Sequence, residues 1–579
     1  MIRRGKVIFL MMIFLLGTWK FTSAQAPSEQ GFEMVKNLDI YSNVIKELNT
    51  NYVDDINPGE LTKTAIDAML ESLDPYTNYI TENEIEDYKF ITTGEYGGIG
   101  ALIHQQGDFV VISEPYEGSP AQKIDLRAGD IILEINGQSA KGKSYSDVST
   151  ILKGQSGTTI SLKIKRPGEE APVEKTLTRE IIKIDNIPYS GMLDNDIGYI
   201  KLTSFTQNAG AEVKQAFLKL REKGDLKGVI IDLRGNGGGL LNEAVDIVNI
   251  FVDRGQDVVT TKGKLPDKNH TYKTMNPAVD VNIPLAIVVD GQSASASEIL
   301  SGAIQDLDRG VIIGRRTFGK GLVQNVVPLS YNAQMKVTVA KYYIPSGRCI
   351  QAIDYSHKNK EGEFSKIPDS LIAAFKTKDG RTVFEGRGIK PDIQTDKVDY
   401  SNIALTLYSK YLIFDFATQF RRDHSTILPP DQFEITDSIF NSFLAFIADK
   451  KYDYKTKSEI ALEDFQKNSE KENYFNAIKS EYEALKTQMQ NDKKSDLTKF
   501  KSQICDLLKQ EIISRYYYQK GKIISSLKTD KDIAEAITAL ADQNLYKSVL
   551  AGTYKSPIDS NDKKTVNDDS SDDDDTGLH

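Results

Sequence analysis

The stretch from Ile283 to Gln324 constrains the fold of this 579-residue chain more than any other segment. It begins with the uninterrupted apolar run IPLAIVVD, which predicts a strand buried on both faces. The turn GQSASAS follows, and then come apolar residues at helical spacing, namely Ile299, Leu300, Ala303 and Ile304. A strand, a tight turn and a helix hold a side chain at a helix N-terminus, where backbone N–H groups favour negative charge. The candidate nucleophiles are the serines of the turn, Ser293, Ser295 and Ser297.

Two motifs in this stretch, SASASEI and TFGKGLVQ, resemble the active site of the C-terminal processing peptidases, also called tail-specific proteases. In that family the nucleophilic serine stands three residues before a glutamate, which implies Ser295 as the nucleophile. The general-base lysine lies 25 residues after the serine, which implies Lys320. A glutamine four residues after the lysine assists it, which implies Gln324. Glu298 is expected to brace the local structure and not to act as the base.

A Ser–Lys pair can hydrolyse a peptide bond only if the lysine is neutral. A serine hydroxyl is a poor nucleophile until a base removes its proton. A lysine normally has a pKa near 10.4, and burial without a carboxylate partner lowers that value. The neutral amine can then take the serine proton and return it to the leaving amine. For Ser293 and Ser297 we expect hydrogen bonding within the turn.

Residues 96–183 resemble a PDZ domain, which opens with YGGIGALI and continues with LRAGDIILEING and the alternating strand TTISLKIKR. The resemblance implies that a substrate C-terminus adds as a strand under the helix from Tyr145 to Leu152. Its carboxylate would bind the glycine-rich loop formed by Gly98, Ile99, Gly100 and Ala101. Arg166, at the end of the alternating strand, is either a regulatory arginine of the family or a solvated strand end.

Residues 184–398 are predicted to form the α/β protease core, in which the buried strand KGVIIDL precedes the loop RGNGGG. The segment from Asp232 to Gly239 resembles the family motif DLRxNxGG. The resemblance implies an oxyanion-hole N–H from Gly238, with Gly239 as the alternative, and a second N–H from Ala296. Arg234 is expected to anchor the loop. A dinucleotide fingerprint is disfavoured, because GxGGG does not have the GxGxxG spacing.

The fold class is therefore multidomain α+β, with helical segments on both sides of the PDZ domain and core. Residues 27–95 form the N-terminal helical region, and residues 399–555 form a helical C-terminal domain with Leu497, Phe500, Ile504 and Leu507 on one face. Residues 556–579 are predicted to be a disordered acidic tail. Residues 1–26 have the charge and apolar run of a signal peptide, which predicts export to a periplasm, with association to the inner membrane if the signal stays uncleaved.

Composition limits the other function classes. The net charge of −10 argues against non-specific nucleic-acid binding. The five histidines and two cysteines have no metal-ligand spacing, so we expect no metal and no cofactor. His270 and His357 are alternative bases, and Cys349 and Cys505 are expected to be free thiols. The expected partners are protein substrates with apolar C-termini, an adaptor protein and a second copy of the chain in a homodimer.

A non-catalytic PDZ or ligand-binding scaffold is the alternative function, since retinoid-binding proteins of the eye resemble the family's core without needing the dyad. The presence of Ser295, Lys320 and Gln324 in register favours an enzyme. We therefore predict a serine endopeptidase that captures substrate C-termini and works through an acyl-enzyme.

Overall fold

The computed structural model describes residues 29–358, 362–397 and 399–555. The predicted signal peptide and the predicted acidic tail lie outside these residues. Among the described residues, those up to Tyr79 form one compact unit and those from Ile80 form another. The first unit contains the helices α1 (Glu29–Asn51) and α2 (Pro58–Glu71). Among the described helices, none is long and apolar enough to cross a membrane.

An antiparallel sheet forms the predicted PDZ domain. Its strands lie in the order β3-β4-β5-β7-β8, with β6 paired to β5. The predicted alternation is confirmed, because Ile160, Leu162 and Ile164 are buried. In chain order, the elements from Asn78 to Lys183 are β1 (Asn78–Ile80), which is not part of this sheet, α3 (Ile85–Thr93), β2 (Glu95–Gly98), β3 (Ala101–Gln106), β4 (Phe109–Pro115), α4 (Pro120–Lys123), β5 (Ile131–Ile135), β6 (Gln138–Ser139), α5 (Tyr145–Leu152), β7 (Thr159–Lys165), β8 (Val173–Thr178) and β9 (Glu180–Lys183).

A six-stranded sheet forms the predicted protease core, in the order β10-β11-β12-β15-β16-β23. All its neighbouring strands are parallel except β10 and β11. A second, antiparallel sheet contains β13, β14, β17 and β18. The elements are β10 (Tyr189–Met192), β11 (Ile197–Lys201), α6 (Ala209–Glu222), β12 (Gly228–Asp232), α7 (Leu241–Phe251), β13 (Asp257–Gly263), β14 (His270–Lys273), β15 (Leu285–Val289), α8 (Ala296–Asp306), β16 (Val311–Gly314), β17 (Leu322–Pro328), β18 (Gln334–Tyr343), β19 (Ile353–Lys358), β20 (Phe364–Lys366), β21 (Ala374–Lys376), β22 (Thr382–Phe384) and β23 (Ile393–Gln394).

The C-terminal region is helical, as predicted. Its first part has a hydrophobic core of its own, which includes Phe416, Phe443 and Ile512. The helices are α9 (Asn402–Ser409), α10 (Leu412–Asp423), α11 (Asp437–Ile447), α12 (Lys457–Lys471), α13 (Phe475–Lys494), α14 (Asp496–Lys499), α15 (Lys501–Leu527), α16 (Lys531–Ala541) and α17 (Gln543–Leu550).

The two faces of the six-stranded sheet are covered by different parts of the chain. Val229 and Ile231 on β12 pack on one face with residues of α6, α7 and α8. Ile230 faces the other way and packs with Ile533 and Leu540 of α16. This alternation follows from the period of two along a strand. The predicted helical domain 399–555 is therefore divided, because its last two helices complete the protease core.

Candidate active site

The turn between β15 and α8 holds the candidate nucleophile in an unusual backbone conformation. Ser295 has φ 55° and ψ −113° and immediately precedes the first helical residue. Positive φ is uncommon for a residue with a Cβ atom, and such outliers are found preferentially at active sites. The side chain is half-buried. The predicted strand, turn and helix are thus confirmed, and Ser295 lies at their junction.

The other two serines of the turn are structural, as expected. The Ser293 hydroxyl donates to the carbonyl of Leu233 at 2.9 Å, and the Ser297 hydroxyl donates to the carbonyl of Asn236 at 2.8 Å. Both acceptors lie in the glycine loop after β12, which is the parallel neighbour of β15. These two hydrogen bonds therefore hold the turn that contains Ser295 against the candidate oxyanion loop.

Gly238 lies directly against this turn. A Cβ atom built on Gly238 would stand 2.7 Å from the Ala294 carbonyl oxygen and 2.8 Å from the Ser295 Cβ. Its φ of 102° also favours glycine. The loop thus approaches the candidate nucleophile closely only because this residue has no side chain.

The structure adds a partner to the predicted oxyanion hole. The Gly238 N–H donates to the Asn236 side-chain oxygen at 2.9 Å, so an oxyanion there would compete with Asn236. Within the described residues, the N–H groups of Ala296 and Gly239 have no hydrogen-bond acceptor. Gly238 and its alternative Gly239 therefore both remain predictions. Sequence analysis missed Asn236, although the asparagine of the DLRxNxGG motif was a signal for it.

The Glu298 carboxylate links the candidate nucleophile to the candidate base. One oxygen accepts the backbone N–H of Ser295 and the backbone N–H of Lys320, each at 2.9 Å. The other oxygen accepts the Thr317 hydroxyl at 2.6 Å and the Gly319 N–H at 2.7 Å. Burial raises the pKa of Glu298 to about 7, although these hydrogen bonds oppose the shift. The predicted bracing role is confirmed.

Lys320 lies just before β17, and Gln324 lies within that strand. The Lys320 side chain is half-buried. The Gln324 amide donates to the Thr338 hydroxyl at 3.3 Å, across the β17–β18 pair. The assisting role of Gln324 stays a prediction.

Arg234 anchors the glycine loop, as expected. Its guanidinium bonds both oxygens of the buried Asp232, at 3.0 and 2.7 Å, and also reaches Asp530 and Asp532 at the start of α16. Burial acts to raise the pKa of Asp232, but the charges of Lys201 and Arg234 outweigh it and lower that pKa. The loop is thus tied to the helical segment that covers the sheet.

The glycine-rich loop of the PDZ domain directs its carbonyls inward. The Ile99 carbonyl accepts the Ala121 N–H and the Gly100 carbonyl accepts the Tyr116 N–H, both at 2.9 Å. In the part of the chain that the structure describes, the N–H groups of Ile99 and Gly100 have no partner. The neighbouring β3, which begins at Ala101, is an edge strand of the sheet. Gly98 ends β2.

Arg166 is not a solvated strand end, so that alternative is wrong. Its side chain is only 12% exposed, because it forms two hydrogen bonds with the buried Asp130, at 2.8 and 2.9 Å. It also bonds Asp125. The regulatory role stays a prediction.

Three family models match successive parts of the chain. Residues 111–166 match the PDZ domain model, residues 196–356 match the model of peptidase family S41, and residues 403–540 match "Probable PDZ-protease, C-terminal helical domain". A carboxy-terminal-processing protease of Bartonella bacilliformis is 33% identical over 60% of this chain and 81% of its own length. A probable CtpA-like serine protease of Staphylococcus aureus is 33% identical over 63% of this chain and 66% of its own length.

Among solved structures, the photosystem II D1 C-terminal processing protease is 29% identical, with 62% of this chain and 92% of that chain covered and a TM-score of 0.34. The match to the model of peptidase family S41 and the similarity to the carboxy-terminal-processing protease define the class as serine peptidase. The chain belongs to the carboxy-terminal-processing protease family, within peptidase family S41.

Proposed function

We propose that the protein is an exported endopeptidase that cleaves through a dyad of Ser295 and Lys320. The observation that carries this proposal is the Glu298 oxygen that accepts the backbone N–H groups of both residues at 2.9 Å. A single buried carboxylate oxygen thereby fixes the main chain of the nucleophile relative to the main chain of the base. Such preorganisation is what a proton transfer from serine to lysine needs.

In this mechanism Ser295 attacks the scissile carbonyl while Lys320 takes its proton. The oxyanion forms beside the Ala296 N–H and the glycine loop, where fixed donors stabilise the developing charge. Lys320 returns the proton to the leaving amine, and the acyl-enzyme remains on Ser295. Water, deprotonated by Lys320, then releases the product and restores the serine. In this proposal Gln324 orients the amine of Lys320.

The test is cleavage of an unfolded protein with an apolar C-terminus, followed on a gel with purified enzyme. We expect cleavage by the parent chain and none by Ser295→Ala or Lys320→Ala. Ser330→Ala is the control, because Ser330 is exposed on the turn between β17 and β18. Equal cleavage by all four proteins would assign the activity to another nucleophile. No cleavage by the parent would favour the non-catalytic scaffold.

We assign capture of the substrate C-terminus to the PDZ loop. The inward carbonyls of Ile99 and Gly100 support this, because their N–H groups are then left for a carboxylate. In Gly100→Ala the new Cβ would stand 2.4 Å from the Ser119 Cβ, at a φ of 74°. We expect a higher KM for the apolar C-terminus and no change for a short peptide. Gly107→Asn is the control, since nothing lies within 4 Å and asparagine tolerates its φ of 59°.

The proposed homodimer rests on helix α1. Many of its apolar side chains are exposed, among them Phe32, Val35 and Leu38 at 61, 67 and 62%. A large exposed apolar face is typical of a protein interface. We expect Leu38→Lys to shift the sedimentation of the purified protein toward the monomer, and an unchanged value would exclude this face.

Export is tested by sequencing the N-terminus of the protein recovered from cell fractions.

A further inference from the structure

The backbone carbonyls of the two dyad residues share one side-chain donor. The hydroxyl of Tyr342 lies 3.1 Å from the Ser295 carbonyl oxygen, and it also bonds the Lys320 carbonyl oxygen at still shorter range. Tyr342 is only 1% exposed. The hydroxyl therefore contacts the two residues through their carbonyls, whereas Glu298 contacts them through their N–H groups.

Tyr342 is itself held firmly. It lies on β18, which pairs with β13 on one side and with β17 on the other. Its backbone N–H donates to the Gly321 carbonyl at 3.0 Å, and its ring belongs to the main hydrophobic core. A strand bonded on both edges is a rigid support for a side chain.

The nucleophile and the base come from different layers of the protein. Ser295 follows a strand of the parallel sheet, whereas Lys320 leads into β17 of the antiparallel sheet. Their relative position depends on contacts that cross between these layers. The Tyr342 hydroxyl is such a contact.

We infer that Tyr342 is a positioning residue of the Ser295–Lys320 dyad, which acts by fixing both main chains through one hydroxyl. The inference rests on the proposed function. It assigns no proton transfer to Tyr342, because the hydroxyl is already engaged with the carbonyl oxygens of both residues. Its effect on rate comes from geometry, and small displacements of reacting groups cost about 10²-fold in rate.

The experiment compares Tyr342→Phe with the parent and with Tyr343→Phe. The phenylalanine keeps the buried ring and removes only the hydroxyl. Tyr343 is the matched control, because it is the next residue on the same strand and its side chain points to the opposite face. Each kcat is divided by the amount of serine that a fluorophosphonate labels, so that unfolded enzyme does not count.

For Tyr342→Phe we expect kcat to fall by about 10²-fold with KM unchanged. We also expect the rising limb of kcat against pH to move to higher pH, because a lysine with a less constrained main chain is better hydrated. A merely structural role would lower the melting temperature and leave both quantities unchanged. An unchanged kcat and pH limb in Tyr342→Phe overturns the inference.

Two variants separate this inference from the proposed function. If Ser295→Ala cleaves as well as the parent, the proposed function fails, and the inference that rests on it fails too. If Ser295→Ala is inactive while Tyr342→Phe keeps the kcat and the pH limb of the parent, the proposed function stands and only the inference is overturned. Slower fluorophosphonate labelling of Ser295 in Tyr342→Phe than in Tyr343→Phe supports positioning of the serine, and equal rates overturn it.

Discussion

The Glu298 carboxylate accepts the backbone N–H of Ser295 at 2.9 Å from three residues further along the chain, and it is completely buried while doing so. The short separation places the acceptor on the first turn of α8, directly above the residue with positive φ. The strained conformation of Ser295 is thus maintained by a buried acid whose own ionisation depends on pH.

We expect Glu298 to make stability fall as pH rises. Burial raises its pKa from 4.5 to about 7, so between these values the folded state holds a proton that the unfolded state has lost. The free energy of unfolding then decreases by about 3 kcal/mol across this interval and is constant above it. Urea unfolding at pH 5 and pH 8 measures the change. Glu298→Gln should remove this component, and parallel profiles for parent and variant would contradict the assignment.

Gly238→Ala should abolish most of the activity. The added Cβ would meet the Ala294 carbonyl and the Ser295 Cβ at 2.7 and 2.8 Å, and the φ of 102° is unfavourable for alanine. Displacement of the nucleophile turn removes a donor from the oxyanion, so kcat should fall about 10²- to 10³-fold. The control is Gly237→Ala, because nothing lies within 4 Å of a Cβ at that position. Similar kcat values for the two variants would mean that the loop does not touch the transition state.

Arg234→Met should destabilise the fold by about 3 to 5 kcal/mol, because it removes a partner from the completely buried Asp232. The methionine keeps the apolar stem, so lost packing does not account for the change. Arg221→Ala is the comparison. Its ion pair with Asp280 is 3.9 Å long and its side chain is 45% exposed, so the cost should stay below about 1 kcal/mol. Denaturant titration of both variants distinguishes the cases, and a small effect of Arg234→Met would show that Lys201 and the Tyr199 hydroxyl suffice to compensate the acid.

Local sequence patterns predicted the elements around Ser295 because those patterns are short-range. The apolar run before Ser295 became β15, and the helical spacing after it became α8. The glycine loop was placed beside it by the resemblance to the family motif DLRxNxGG, and in the structure this loop follows β12, the parallel neighbour of β15.

The contacts between distant segments could not be predicted in this way. The Tyr342 hydroxyl reaches Ser295 and Lys320 only because β18 pairs with both β13 and β17. The periodicity of apolar residues within one segment does not indicate which strands pair. Arg166 had the surroundings of an exposed strand end, but Asp130, 36 residues earlier, forms a buried ion pair with it. Both cases depend on long-range pairing and not on propensity.

His104 is expected to weaken the contact between the PDZ domain and the helical domain at low pH. Its ring stacks on Tyr411 of the helical region at 4.1 Å, and its Nδ1 lies 2.7 Å from the Ser113 hydroxyl. Burial lowers the pKa of His104, and the charge of Arg515 lowers it to a smaller extent, whereas a side-chain hydrogen bond with Gln106 and the charge of Glu511 act to raise it. The folded state therefore binds fewer protons than the unfolded state below pH 6.5. Stability from this residue is complete above that value and is lost as pH falls through the lowered pKa.

Hydrogen exchange of α10 and β3 at pH 5.5 and pH 7.5 measures this effect. In the parent, exchange at the contact should increase at the lower pH, whereas His104→Phe keeps the stacking and cannot be protonated, so its exchange should change less. His424→Phe is the control, because His424 stacks on Phe420 at 4.0 Å within the helical domain. Stability from His104 increases as pH rises, whereas stability from Glu298 decreases, so one set of pH measurements can separate the two groups. If His104→Phe loosens as much as the parent at pH 5.5, another group at the contact is responsible.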